Sequence, residues 1–160
     1  MTQDVTQAAE QLLERQKTLQ LATLNGDGEP ESSYAPCLVD RQQVYLFLSQ
    51  LASHTQNLLR VPDCSLMWIA DEKDSRNLFA RERLILKCRA LRLPPEADDY
   101  RAVMEKMEAR LGPTLRMLRS LPDFQLFQFT PQSGRFIQGF GAAYTFDGFN
   151  LSSMTAVTGR

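Results

Sequence analysis

Residues Thr18 to Asn25 read TLQLATLN and lead directly into Gly26-Asp27-Gly28. The first segment is strand-like. Asn25-Gly26-Asp27-Gly28 is a strong turn signal, because glycine accepts the positive φ that a tight turn needs. A second strand is expected from about Glu31 to Val39, which makes the pair a hairpin. A chain whose sheet opens on a hairpin is building antiparallel structure.

Working outward, Thr2 to Gln16 reads as a helix, with Val5, Ala8, Ala9, Leu12 and Leu13 at helical spacing. Downstream, Val44 to Ser49 (VYLFLS) is apolar on both faces, as expected of a strand covered on both sides. Ser53 and Gln56 have capping-box spacing, so a short helix should start there and stop before Pro62. Cys64 to Ala70 (CSLMWIA) is a further buried strand, and Asp71 to Ala80 a loop with a helical turn. Arg83 to Leu93 (RLILKCRALRL) is a long strand. Pro94-Pro95 ends it and opens a helix to about Leu111, whose Met104, Met107 and Leu111 share a core-facing stripe. Gly112-Pro113 breaks that helix, and Thr114 to Leu121 is a short one. Phe124 to Phe129 (FQLFQF) and Arg135 to Phe140 (RFIQGF) are expected as two strands joined by a Pro-Gln-Ser-Gly turn. The tail from Tyr144 adds a further strand.

The tally is six or seven strands and four helices, with one helical excursion (about 94–121) before the last strands. This pattern predicts a mainly antiparallel sheet closed as a small barrel, with helices outside. Regular βα alternation is missing, as is any G-x-G-x-x-G after a strand, which argues against a doubly wound parallel sheet.

The 160 residues suggest one domain, 1–160, and 43% hydrophobic content supplies its core. A net charge of -1 argues against a general nucleic-acid binder. No apolar run approaches the ~18 residues of a membrane span, and Met1-Thr2-Gln3-Asp4 lacks the features of a signal peptide. Cys37, Cys64 and Cys88 form no C-x-x-C pair and read as buried free thiols, which points to the cytoplasm, with a disulfide or metal site as the alternative. With His54 the single histidine, a His-based zinc cluster is excluded, and no metal ligands are assigned.

Three segments carry residues suited to chemistry. Ser49 to Leu58 joins a strand end to a helix start. There Ser49, Ser53, Thr55 and Asn57 are small hydrogen bonders, His54 can be cationic, and the helix N-terminus favours an anion. An ordinary capped helix explains the same spacing. Arg81 and Arg83 fall on one side if the strand already begins there, and could clamp a phosphate or carboxylate. Gly139-Phe140-Gly141 leaves room for a flat ring or another backbone. Asp123 precedes a strand and is either a turn residue or an acid of the site. No hydrolase, P-loop or zinc-protease motif is present, so any redox reaction here needs a bound cofactor.

These segments together resemble the pyridoxamine-phosphate-oxidase-like split barrel of the FMN-binding superfamily, and within it the heme-utilisation branch. The likeness runs over about residues 10 to 148. It is carried by Leu19 to Thr23 with Gly26-Asp27-Gly28, by Ser33-Tyr34-Ala35-Pro36, and by Ser49, His54, Asn57-Leu58 and Pro62. It continues in Leu78 to Leu84, in Asp123-Phe124 with Leu126-Phe127, and in Phe136-Ile137 with Gly139-Phe140-Gly141 and Ala143. The resemblance implies a six-stranded antiparallel split β-barrel with peripheral helices, paired as a homodimer, with a ligand groove between subunits. In flavin-binding relatives the phosphate meets the segment matching Ser49 to Asn57, where many carry Lys in place of His54. In the heme branch the cleft holds heme, a tail histidine ligates iron, an acid matching Asp123 hydrogen-bonds it, and an arginine matching Arg83 lies near the heme. Here the tail from Thr155 carries no histidine, and Arg160 falls about where that ligand would be.

The implied function is heme binding at a dimer cleft, for oxidative heme degradation and iron release. Asp123 and Arg83 would be its catalytic residues. Ser49, Ser53, His54, Thr55, Asn57, Arg81, Arg83, Gly139, Phe140 and Gly141 would bind the ligand. The alternatives are an FMN-binding oxidoreductase and a non-catalytic dimer that keeps the fold.

Overall fold

The structure is a computed structural model that describes residues 2–158. Arg160 therefore lies outside the described residues. Helix α1 (Thr2–Arg15) opens the chain and buries Val5, Ala9, Leu12 and Leu13, the stripe its spacing predicts. Strand β1 (Thr18–Leu24) alternates strictly, with Leu19, Leu21 and Thr23 inward. At the turn, Asn25 Oδ1 accepts the N–H groups of Asp27 and Glu29, each at 2.9 Å, and Gly28 takes φ 76°. Strand β2 (Pro30–Pro36) then returns antiparallel to β1.

The expected strand from Glu31 to Val39 is in fact two strands. β2 ends at Pro36, and β3 (Leu38–Asp40) begins two residues on, with Cys37 N donating to Lys17 O between them. β3 pairs with β4 (Gln43–Ser49) through a two-residue turn in which Arg41 and Gln42 both have positive φ. After helix α2 (Ser53–Arg60) come β5 (Asp63–Ile69), two 3₁₀ turns at Glu72–Asp74 and Leu78–Ala80, and β6 (Arg83–Leu93). Helices α3 (Tyr100–Leu111) and α4 (Pro113–Arg119) form the excursion, followed by β7 (Phe124–Gly139), β8 (Ala142–Asp147) and β9 (Thr155–Ala156).

Every ladder is antiparallel, in the order β2-β1-β5-β6-β7-β4-β3, with β8 on β7 and β9 on β8. The two edge strands β2 and β3 are neighbours in sequence with only Cys37 between them. A sheet whose edges are joined by one residue must curl until those edges meet, and β2 packs against β4. The barrel wall is thus six strands, β2, β1, β5, β6, β7 and β4, with no ladder across the β2/β4 seam. β3, β8 and β9 extend it.

Alternation along β4 separates two cores. Leu46 and Leu48 face the barrel interior with Leu66, Trp68, Leu84, Leu86, Phe127 and Phe136. Tyr45 faces outward with Leu38 and Leu126, where Val103, Met104 and Met107 of α3 and Leu115 of α4 cover them. Each such apolar side chain contributes about 1.5–3 kcal/mol relative to exposure.

Three further expectations are corrected. Pro94-Pro95 does not open a helix. Pro95 disfavours helical geometry at Pro94, residues 94–99 make consecutive turns (Ala97 N to Pro94 O, Tyr100 N to Ala97 O), and the helix starts at Tyr100. The Pro-Gln-Ser-Gly segment is no turn: β7 runs through it as one 16-residue strand. Pro131 lies opposite Cys88 and Ser133 opposite Lys87, so Gln132 is the extra residue of a bulge, a position that tolerates a missing N–H. Ser53 does not cap α2 either. The N-cap is Ala52, without a side-chain bond, and Gln56 donates instead to Gln50 O at 2.9 Å.

Candidate functional site

The residues singled out in the sequence gather at two places, joined by β7. At the start of β7, Ser49 pairs with Phe124. Ser49 Oγ donates to Asp123 Oδ2 at 2.9 Å and accepts Leu51 N–H at 3.1 Å, while Gln50 N donates to Asp123 O at 2.7 Å. Asp123 is therefore held by side chain and backbone together, half-buried at the mouth of the β4–α2 connection.

One helical turn away, His54 Nδ1 lies 2.9 Å from Ser33 Oγ on β2. Burial pushes the His54 pKa below its usual 6.5, so the ring is neutral at pH 7, not the cation the sequence allowed. Asn57 is 3% exposed, and its amide donates to Thr23 Oγ1 at 3.0 Å and Glu31 Oε1 at 2.7 Å. It fastens α2 to the β1–β2 hairpin and presents no donor to a ligand. Thr55 is fully buried with Oγ1 lacking a partner, and Ser53 is exposed. Ser33, Glu31 and Thr23 were missed as partners. Alternation gives Ser33 and Glu31 the same face of β2, but only the folded position of α2 shows that this face meets it.

At the other end of β7 stands Arg83, opposite Ile69 of β5 and Ile137 of β7. Arg81 lies outside the strand, so the two arginines do not share a strand face. Its Nε donates to Ala70 O, while Arg83 Nη1 donates to Arg81 O at 2.8 Å. Half-buried Arg83 has no carboxylate within 4.0 Å among the described residues. A cation so placed favours an anionic ligand. Gly139 closes β7 against Ala142, and Phe140-Gly141 is the two-residue turn into β8, with Gly141 at φ 67°. The paired glycines thus serve a hairpin turn and do not share a strand face. A cavity of about 780 Å³ is lined here by Arg15, Asp71, Arg76, Arg81, Glu82 and Gly139, among others. The 3₁₀ turn at Leu78–Ala80 packs against β7, and Phe79 (87% exposed) and Phe140 (70%) project from this end. Phe79 was not expected among the ligand-binding residues.

An antiparallel barrel of six strands, open along one seam, with a helix after β4 and a helical excursion before β7, defines the split-barrel class. Residues 5–138 match the Pyridoxamine 5'-phosphate oxidase family, and the chain belongs to that family. Over 138 residues it is 37% identical to heme oxygenase HutZ of Vibrio cholerae serotype O1, a match that spans 86% of this chain and 78% of that protein. Among solved structures, ChuZ of Campylobacter jejuni is similar with a TM-score of 0.87 at 26% identity, covering 97% of this chain but only 63% of ChuZ. HutZ, the heme storage protein of Vibrio cholerae, is similar with a TM-score of 0.77 at 31% identity, covering 90% and 94% of the two chains.

Proposed function

We propose that two copies of this chain enclose a cleft that binds heme, and that the protein serves heme utilisation in the cytoplasm. The observation that carries this reading is the separation of the site. Asp123 precedes the first residue of β7 and Arg83 pairs near its last. Phe124 to Ile137, the residue opposite Arg83, is a stretch of fourteen strand residues at about 3.3 Å each, roughly 45 Å of contour, so the two groups stand at opposite ends of β7. A twofold partner would supply the missing half if the isologous contact set one copy's Asp123 end against the other's Arg83 end, since symmetry then completes both clefts together.

Heme enters as substrate or cargo. Its flat apolar face suits the exposed Phe79 and Phe140, and its propionates suit the unpaired Arg83. Asp123 and Arg83 are the residues we assign to the reacting centre, with oxidative opening of the ring and release of iron as the finer activity. Relatives named for heme oxygenation and for heme storage support heme as the shared ligand. The three free cysteines support a reducing compartment.

FMN is the alternative ligand of the family, and the residues present do not fit its phosphate. Ser49 is committed to a carboxylate, Asn57 to Thr23 and Glu31, and His54 is neutral. No flavin chemistry is assigned. Hemin titration with gel filtration tests the proposal. The expected result is a Soret band that saturates near one heme per subunit on a dimeric species. A monomer, or a titration with no Soret change, overturns it.

A further inference from the structure

Cys64 and Cys88 are direct register partners across the β5–β6 ladder. Opposed residues of an antiparallel pair send their side chains to the same face, with Cα atoms ~4.5 or ~5.5 Å apart. Both separations lie inside the roughly 4.4–6.8 Å that a disulfide spans. The two thiols are reduced, and Cys64 Sγ already reaches Cys88 O at 3.8 Å. Both residues line one open cavity of about 310 Å³, together with Thr23, Pro30, Lys87 and Gln132. The β6–β7 register shifts between Lys87 and Cys88, so Cys88 sits opposite a bulge at Gln132 of β7, where the ladder on its far side is interrupted. The third thiol, Cys37, is buried elsewhere and faces Trp68.

We propose that Cys64 and Cys88 are a site of oxidative modification, forming a reversible cross-strand disulfide when a hydroperoxide enters this cavity. The half-exposed Cys64 reacts first. Its sulfur attacks one peroxide oxygen, the O–O bond breaks, and the departing hydroxide takes up the Cys64 proton as water, leaving a sulfenic acid. The Cys88 sulfur then attacks the Cys64 sulfur, the S–O bond breaks, and a second water leaves with the Cys88 proton. Two thiols lose two electrons and two protons, and hydrogen peroxide becomes two waters. Burial pushes the Cys64 thiol up to about 12 and raises Cys88 as well, which keeps the pair protonated at neutral pH and makes the reaction slow.

The test treats the purified full chain with hydrogen peroxide over hours and quenches by alkylation. The intact mass, read on an aliquot before alkylation, is expected to fall by two hydrogens. A nonreduced peptide map should link the Cys64 and Cys88 peptides while Cys37 stays alkylatable, and dithiothreitol should reverse the link. The oxidised protein should melt roughly 5–10 °C higher, as a staple closing a loop of this size would give. Cys88→Ser should divert Cys64 to sulfenic and sulfinic acid with no linked peptide. In the wild type, accumulation of sulfinic Cys64 beside an intact Cys88 thiol overturns the proposal. So does a disulfide joining Cys64 residues of two copies.

Discussion

Ser49 and Asp123, 74 residues apart, meet in a 2.9 Å hydrogen bond that closes the start of β7 onto the end of β4. The same hydroxyl oxygen accepts the Leu51 N–H, so the serine is oriented before it donates. A bond to an ionised carboxylate is shorter and stronger than a neutral one. Ser49→Ala removes it and leaves Asp123 tied only through its backbone carbonyl to Gln50. The expected cost is about 1–2 kcal/mol of stability by urea denaturation, together with a several-fold weaker hemin titration. Ser49→Thr, which keeps the hydroxyl, should restore most of both. Unchanged hemin affinity in Ser49→Ala would detach Asp123 from the ligand cleft.

His54 makes stability depend on pH in a defined direction. Its folded pKa lies below the usual 6.5 because burial disfavours the imidazolium. The unfolded chain therefore binds the proton more readily. The stability this neutral ring contributes is full above pH 6.5 and is lost as pH falls through the lowered folded value. Melting temperature should drop more steeply from pH 7 to pH 5 in the wild type than in His54→Asn. Parallel curves for the two proteins would show that His54 is not a source of the acid sensitivity.

Gly134 illustrates a requirement set by close approach. A Cβ built on it would lie 2.3 Å from the Phe146 ring and 2.9 Å from Ile85 O, so ring and backbone would both have to shift. Gly134→Ala is expected to cost about 3 kcal/mol and to lower the melting temperature by roughly 6–12 °C. Phe146→Leu shortens the clashing side chain. The double variant should therefore lose less than the two single losses added together, and strict additivity would place the strain elsewhere.

The same glycine shows where local reading stops. Arg83–Leu93 and the Asn25–Gly28 turn are legible because alternation and positive φ are properties of a few adjacent residues. Pro131 to Gly134 has turn chemistry, yet the partners override it, since β6 stays paired on both sides of a bulge at Gln132 of β7 and Phe146 fills the space above Gly134. The break at Cys37 is equally nonlocal, since Leu38 and Val39 are good strand residues whose partner is β4, not β1. In the candidate site, residue type identified Asp123, Ser49 and Arg83. It could not show that Asn57 and Arg81 are committed to Glu31, Thr23 and Ala70, because those partners come from distant elements.

The proposed division of the site between the two ends of β7 leads to a test that needs no structure of a dimer. If each cleft takes Asp123 from one copy and Arg83 from the other, Asp123→Ala and Arg83→Ala should each weaken hemin binding in homodimers. A mixed dimer of the two variants behaves differently. One of its clefts combines both defects, while the other combines the intact Asp123 of the Arg83→Ala chain with the intact Arg83 of the Asp123→Ala chain. Co-expression with two affinity tags isolates this species. Its titration should show one site of wild-type affinity per dimer. A site built within a single copy leaves one defect in each cleft, and the mixed dimer then shows no wild-type site at all. Recovery of that one high-affinity site separates assembly across two subunits from assembly within one.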